Sequence, residues 1–533
     1  MTTNHLKCLI GLFLLLICSP VLTAQDDNSF YDKPLRMRFN ILDEEKKDVA
    51  IAPRKSGDNL KTKYEGQVSI PETVTYNGTT YTVVAIADKT FNAAANLELI
   101  EFNESLRTIG DRAFDGCAKL KMESLVLGGK ISSIGSEAFN GCTGVGQFVL
   151  GKALETIGDG AFARCHGKLT LDKENPYFVY ENDMLLTKDK TELLYTYPLI
   201  TKIEFPKELK VIRPYSLHSL RLISELVIPE GVTTIGDRAI DMADHLKKLS
   251  LPATLEHWGE SVLTGNYELE VIEVAAGNKH FVIKDHSLYS KDLKQIIKYP
   301  IAAQGDATSY TIYEGVEEIM SGCFANAKFA EYKIPTTIKK LGNSAFFNNS
   351  ALKELQLPHV QSIGEMCFFK CPELTKLYFG PDLKEIGSYC FSFSPKLLLM
   401  QIDAPKPPKH PASFLGIFSV EMEREGTLYV PIGSKEAYKN EKSGGDFAAI
   451  HNIVETDKNM LPTTQISVLP TFTTAITQDG VTISTPKPTL IRIFDSSSYM
   501  RYEDTVDGVI DISLPAGIYF IAADRYVEKV IVL

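Results

Sequence analysis

Apolar positions along this chain recur as a phrase rather than as a helical stripe. The phrase reads Leu106-Arg-Thr-Ile109-Gly110-Asp-Arg-Ala113-Phe114, then Ile131-Ser-Ser-Ile134-Gly135-Ser-Glu-Ala138-Phe139, then Leu154-Glu-Thr-Ile157-Gly158-Asp-Gly-Ala161-Phe162. A period near 23 residues defines a solenoid of stacked units. The isoleucine column runs Ile86, Ile109, Ile134, Ile157, Ile212, Ile235, Trp258, Ile319, Leu341, Ile363 and Ile386, mostly in steps of 22, 23 or 25. Two steps are longer, 55 residues from Ile157 to Ile212 and 61 from Trp258 to Ile319. Both hold the same insert. Asn175-Pro-Tyr-Phe178 leads through Leu185 and Lys188-Asp189 to Tyr197-Pro198, and Asn278-Lys-His-Phe281 through Leu288 and Lys291-Asp292 to Tyr299-Pro300. Two apolar runs flanking Lys-Asp predict a β-hairpin, carried as a surface excursion.

Each unit continues from Ala-Phe into a segment such as Leu352-Lys-Glu-Leu355-Gln-Leu357-Pro358 or Leu374-Thr-Lys-Leu377-Tyr-Phe379. Alternation at Leu355/Leu357 and Leu377/Phe379 is the period-2 signal of a half-buried strand. Pro229, Pro252, Pro335 and Pro358 close such strands, where no ladder donor is needed. One unit cannot bury its own apolar face, whereas stacked units can. The fold class expected is a repeat solenoid with a short strand plus a turn or short helix per unit of about 23 residues, β-hairpin inserts, and a small C-terminal β-sandwich.

These residues resemble the bacterial leucine-rich repeat of the BspA-like surface proteins, whose units read roughly L-x-x-I-G-x-x-A-F-x-x-C-x-x-L-x-x-I-x-I-P. The resemblance covers residues 81–402, with inserts near 175–198 and 278–300. It departs where Trp258 replaces Ile, where Ile240 replaces Phe, and at Pro214-Tyr-Ser-Leu217, so distorted rungs are expected there. Residues 25–80 read as a β-rich N-terminal cap, with Tyr64-Glu-Gly66-Gln-Val-Ser-Ile70-Pro71 ending like a repeat strand and a hairpin turn at Tyr76-Asn77-Gly78-Thr. Residues 403–460 read as a C-terminal cap, with a closing strand at Thr427-Leu-Tyr-Val430-Pro431 and a short helix at Ser434–Tyr438.

From 463 to 533 the chain turns Thr- and Val-rich. Leu490-Ile-Arg-Ile493-Phe494-Asp495 and Leu514-Pro515-Ala516-Gly517-Ile518-Tyr519 resemble the C-terminal sorting domain of the type IX secretion system, although Ser496 stands where a glycine usually follows the Asp495 turn. That resemblance implies sorting or anchoring at the outer membrane. The alternative is an accessory β-sandwich.

Net charge is −11, near −12 once a leader carrying Lys7 is removed, and no Lys/Arg run occurs. A nucleic-acid partner is therefore not expected. Residues 1–24 have signal-peptide shape: Lys7, an apolar run from Cys8 to Cys18, and cleavage after Ala24. Lipid attachment at Cys18 is disfavoured by the bulky Ile17. No later segment is long and apolar enough to be a transmembrane helix. Export to the cell surface, outer-membrane associated, or to the extracellular space is the expectation.

Seven cysteines follow the leader, an odd number. Cys117, Cys142, Cys165 and Cys371 lie three places after the repeat phenylalanine, and Cys323, Cys367 and Cys390 take the alanine position before it. Buried thiols are expected. A bridge between Cys117 and Cys142 is the alternative, since adjacent rungs can meet the roughly 4.4–6.8 Å that a disulfide spans.

Chemistry is sparse. Gly146-Gln-Phe-Val-Leu-Gly151-Lys152-Ala153 mimics a phosphate-binding loop but ends in Ala and lies inside a repeat. Leu461-Pro-Thr-Thr464-Gln465 lacks the glycine and membrane tail of a sortase signal. His245, His257, His280 and His286 are scattered, and Asp88, Asp111 and Asp159 follow the repeat turns as capping residues. No catalytic, metal or cofactor site is assigned, and no enzyme is expected.

Recognition remains. The residue between the two buried strand positions forms a solvent column: Glu101, Val126, Val149, Thr170, Glu204, Val227, Ser250, Glu273, Lys333, Gln356 and Tyr378. The resemblance implies adhesion to host extracellular proteins and contacts between bacteria. The expected partners are host or bacterial surface proteins or glycans. The alternative is a structural or carbohydrate-binding envelope protein working with separate enzymes. Oligomeric state is not legible.

Overall fold

The computed structural model describes residues 28–55, 64–411, 416–440, 445–458, 473–477, 480–495, 500–515, 517–523 and 526–532. The expected leader at 1–24, the Leu461–Gln465 motif, Ser496 and Ala516 lie outside the described residues. Two compact units divide at Cys165 and His166.

In the first unit the isoleucine column forms a parallel ladder. Thr79–Ile86, Thr108–Ile109, Ser133–Ile134 and Thr156–Ile157 pair in sequence, with Ile86, Ile109, Ile134 and Ile157 in line. Leu125–Leu127 pairs in parallel with Gln147–Leu150 and leaves Val126 exposed between buried leucines. Inside, Phe91, Phe114, Phe139 and Phe162 stack face to face, at centroid distances of 4.9, 5.1 and 5.8 Å. Before the first repeat, Ser29–Asp32, Met37–Asp43 and Asp48–Ala52 are antiparallel, and the last joins Thr79–Ile86 in parallel. The hairpin expected at Asn77-Gly78 forms between Thr73–Tyr76 and Thr79–Ile86. Both turn residues have positive φ, as a type I′ turn requires.

The Gly-x-x-Ala-Phe segment is a turn in every unit, not a short helix. A residue held in the left-handed region, such as Arg112 or Glu137 (φ 52° each), interrupts any helical run. Its amides point to the neighbouring turn instead. Arg112, Phe114 and Gly116 donate to the carbonyls of Ser136, Ala138 and Asn140 at 2.7–2.8 Å. Asp88 and Asp111 cap across turns as well, accepting from the backbone N–H of Asp111 and Ser136.

The second unit repeats this plan in two runs. Val211–Ile212, Thr234–Ile235 and His257–Trp258 are in register, so the substitutions at Pro214–Leu217, Ile240 and Trp258 leave the rungs undistorted. Leu217, Ile240 and Leu263 fill the phenylalanine column there, all buried. The second run is Glu318–Ile319, Lys340–Leu341, Ser362–Ile363 and Glu385–Ile386. Its aromatic stack is Phe324, Phe346, Phe368, Phe391 and Phe418.

The inserts are built into the ladder rather than carried outside it, which corrects the sequence expectation. Phe178–Glu181, Met184–Thr187 and Glu192–Thr196 form an antiparallel meander whose last strand pairs in parallel with Val211–Ile212, Leu193 facing Ile212. Phe281–Lys284, Ser287–Ser290 and Gln295–Lys298 do the same, Ile296 facing Ile319. Leu193 and Ile296 are fully buried. Each is a rung in its own right, reached by a longer path.

The longer strands continue past the last repeat. Glu354–Leu357, Lys376–Phe379, Leu399–Ile402, Thr427–Pro431 and Asn452–Thr456 form one parallel sheet. Short helices at Val420–Glu425 and Lys435–Lys439 flank its closing strands. Farther on, Thr473–Thr477, Gly480–Asp495, Met500–Ser513, Gly517–Ala523 and Tyr526–Val532 make antiparallel pairings around Val481, Ile483, Ile491, Ile493 and Ile521. Among the described residues these strands are linked by hydrogen bonds in one sheet.

Glycine after the isoleucine is required by proximity. A Cβ at Gly135 would lie 2.5 Å from the Asp111 nitrogen of the preceding turn. Gly135→Val should therefore lower stability by about 2 kcal/mol or more, read as a fall in thermal midpoint. An unchanged midpoint would contradict this account of the repeat glycine.

Lys298 is buried and donates from Nζ to the Gly322 carbonyl at 2.8 Å. Desolvation lowers its pKa to about 8, partly offset by Cys323 and Asp241. A lysine whose folded pKa lies below its unfolded value costs stability at neutral pH, and that cost is relieved as pH rises from about 8 toward 10. Subtracting the stability profile of Lys298→Met from that of the native chain should leave a rise across this window. A flat difference would refute it.

Candidate binding surface

The solvent column expected from the sequence faces water at some rungs and is half-buried at others. Val126 and Val227 are 58% and 64% exposed, and Glu101, Thr170, Glu204 and Glu273 are exposed as well. Val149, Ser250, Lys333, Gln356 and Tyr378 are half-buried. Several members are already engaged. Ser250 Oγ donates to Glu273, which also pairs with Lys248 at 2.8 Å. Tyr378 donates its hydroxyl to Asp403 at 2.8 Å, and burial followed by that contact raises its pKa. Glu204 lies on an unpaired stretch rather than in a strand.

Three further surface features emerge from the second unit, and none was read from the sequence. An outer aromatic ladder joins Phe347, Phe369 and Phe393 on successive turns, with centroids 5.6 and 5.0 Å apart and Phe393 55% exposed. Its signal was present in Phe346-Phe347, Phe368-Phe369 and Phe391-Ser-Phe393, where a second aromatic follows the core one. A groove of about 540 Å³ runs over Gly342, Gly364 and Gly387, rimmed by Lys340, Glu385 and Lys409. A notch of about 460 Å³ lies beside Trp258, between that strand and the second insert. His257 and His280 line the notch, His286 sits in the insert's turn with positive φ, and His245 contacts Glu268.

The phosphate-loop mimic is repeat core. Phe148 and Leu150 are buried on the strand Gln147–Leu150, as its position in the repeat implied. Among the described residues no group of three or more His, Cys, Asp or Glu side chains has metal-holding geometry. No helix there is long and apolar enough to cross a membrane. Inside the second unit, His218 Nδ1 lies 3.8 Å from Asp241, with both side chains shut away from solvent.

The sequence profile of the BspA-type leucine-rich repeat region matches residues 68–174, 191–304 and 302–398, more than half of the chain, in six copies. The chain belongs to the BspA-type leucine-rich repeat family. No curated protein matches it. Among solved structures it is similar to a leucine-rich cell surface protein from Faecalibacterium prausnitzii, at 19% identity and TM-score 0.41, covering 82% of this chain and all of that one. A leucine-rich repeat protein from Eubacterium ventriosum gives 16% identity and TM-score 0.36, over 80% of this chain and 96% of that one. A pneumococcal vaccine antigen gives 18% and 0.30, over 81% and 99%.

In this BspA-type array the cysteines are free thiols at buried column positions, and Cys117 and Cys142 form no bridge. The thiols of Cys117, Cys142, Cys165 and Cys371 donate to the carbonyls of Phe91, Phe114, Phe139 and Phe346. Burial pushes the Cys165, Cys323 and Cys371 thiols up to about 12. The seven repeat thiols should resist a thiol-reactive disulfide reagent at pH 8 in the folded chain and react fully in denaturant. Rapid reaction of the folded protein would contradict that placement.

Proposed function

We propose that this chain is an exported, surface-displayed binding protein that recognises protein or glycan ligands through its solenoid surface without chemical turnover. The observation that carries the reading is the division of its chemistry. The thiols, Lys298 and the His218–Asp241 pair are enclosed in the core, while mixed polar, aliphatic and aromatic side chains line the solvent column, the groove and the notch. Such an arrangement suits recognition over an extended face. In this reading residues 1–24 direct export, 25–80 and 403–460 close the ends of the array, and 463–533 sort or anchor the chain at the outer membrane.

A second reading, a carbohydrate-binding envelope protein acting with separate enzymes, is favoured by the aromatic residue in the notch.

Protease accessibility on intact native cells tests the display. The full chain should be cleaved from outside, and deletion of 463–533 should abolish that exposure by leaving the chain in the periplasm. A chain that is periplasmic with and without the segment would remove the surface-binding function. Purified chain should also retain at least one ligand on an array of surface proteins and glycans; retention of none would count against recognition altogether.

A further inference from the structure

The notch beside Trp258 differs from the rest of the second unit in three respects. Trp258 is the only tryptophan of the chain and stands at a column position where other rungs place a buried Ile or Leu, yet it is half-buried. The short-strand sheet ends at His257–Trp258, and the next sheet opens with the hairpin of the second insert, so the indole borders a gap instead of another rung. Phe281, buried on that hairpin, supports the indole at a centroid distance of 6.5 Å and an interplanar angle of 59°.

The polar lining is uncommitted. Among the described residues, no hydrogen bond or ion pair occupies the side chains of Glu256, His257, Lys279, His280 and Lys291. Nearby surface charges behave otherwise. Lys294 and Lys339 both hold Glu317 at 2.7 Å, and Lys340 holds Glu318 at 2.6 Å. The other three polar liners, Ser290, Asp292 and Gln295, are spent as well. Asp292 accepts from Ser290 Oγ and the Lys294 N–H, while Gln295 donates to Glu318. What remains for a ligand is an aromatic face, two ammonium groups, two imidazoles and one carboxylate, in a chain whose net charge is −11.

An aromatic face beside uncommitted polar groups fits a sugar ring, which presents C–H groups on one side and hydroxyls at its edge. The two lysines select a ring that carries a carboxylate, since charge-assisted hydrogen bonds are the stronger ones. A volume of about 460 Å³ falls within the roughly 300–1,000 Å³ of small-ligand sites. A peptide strand is less suited, because the free edge at His257–Trp258 is only two residues long. We propose that this notch is a subsite for a carboxylated pyranose, a sialate or uronate unit of a glycan. The proposal rests on the surface-binding reading and assigns it one ligand class and one place.

Because Trp258 is the only indole, its fluorescence reports on this site alone. The full chain is titrated with 3′-sialyllactose, with trigalacturonate and with lactose as the neutral control. A saturable change with one or both acidic sugars and none with lactose is expected; the responding sugar separates an animal-type glycan from a plant polysaccharide. Replacing both lysines, Lys279→Ala with Lys291→Ala, should weaken that binding at least tenfold, and both positions are exposed. Trp258→Ile, which restores the usual rung residue, should weaken it comparably by calorimetry. An unresponsive indole, an equal response to lactose, or undiminished affinity in the lysine variant would each overturn the proposal. If Trp258→Ile keeps every ligand the native chain retains on the array, the notch fails and the surface-binding reading stands. If the native chain retains nothing, both fail.

Discussion

Within each run of repeats a turn must lie against the next at backbone hydrogen-bonding distance, and most of the repeat sequence can be explained from that constraint. Amides that a helix would satisfy internally are directed to the neighbouring turn, as from Arg112, Phe114 and Gly116 to the carbonyls of Ser136, Ala138 and Asn140. Close approach leaves no room for a Cβ where Gly135 or Gly364 meets the preceding backbone. It also brings identical side chains into contact, so the core is a set of columns: isoleucine on isoleucine, and phenylalanine on phenylalanine at about 5–6 Å. The thiols of Cys117, Cys142, Cys165 and Cys371 fit the same scheme, each donating a hydrogen bond to a carbonyl of the preceding turn.

Stacking of this kind tolerates change at a single rung when volume is kept, which accounts for Leu217, Ile240 and Leu263 in the aromatic column. It also tolerates a longer path between rungs. The two inserts return to the ladder through Leu193 and Ile296, and their hairpin turns at Asn182-Asp183 and Asp285-His286 adopt the positive φ of two-residue connections. The ladder is the conserved element of the geometry, and the loops are free to vary around it. Surface side chains on the strand column, the groove and the inserts can then vary without disturbing the core.

Much of this was legible in the sequence because the repeat is its own register marker. Ile109, Ile134 and Ile157 predict their alignment by spacing alone, and Leu125/Leu127 predict an exposed Val126 by alternation. Of the turn or short helix that the pattern allowed after each glycine, the structure takes the turn, because residues such as Arg112 and Glu137 adopt a left-handed conformation that composition does not announce. The inserts were recognised as hairpins but placed outside the array, since nothing in Leu193 or Ile296 as isolated residues distinguishes a rung from a hairpin core.

The sequence by itself determined the family, the period, the buried columns and the lack of an assignable catalytic motif, because each follows from local spacing and residue type. Tertiary structure alone decided which of the surface residues stand together. Tyr378 was one member of the solvent column until Asp403 was seen to hold its hydroxyl, and Trp258 was a mere substitution until the sheet was seen to end beside it. The physical reason is that side chains from turns 22 or more residues apart become neighbours only once the ladder is built, and whether a polar group is free or spent depends on those neighbours.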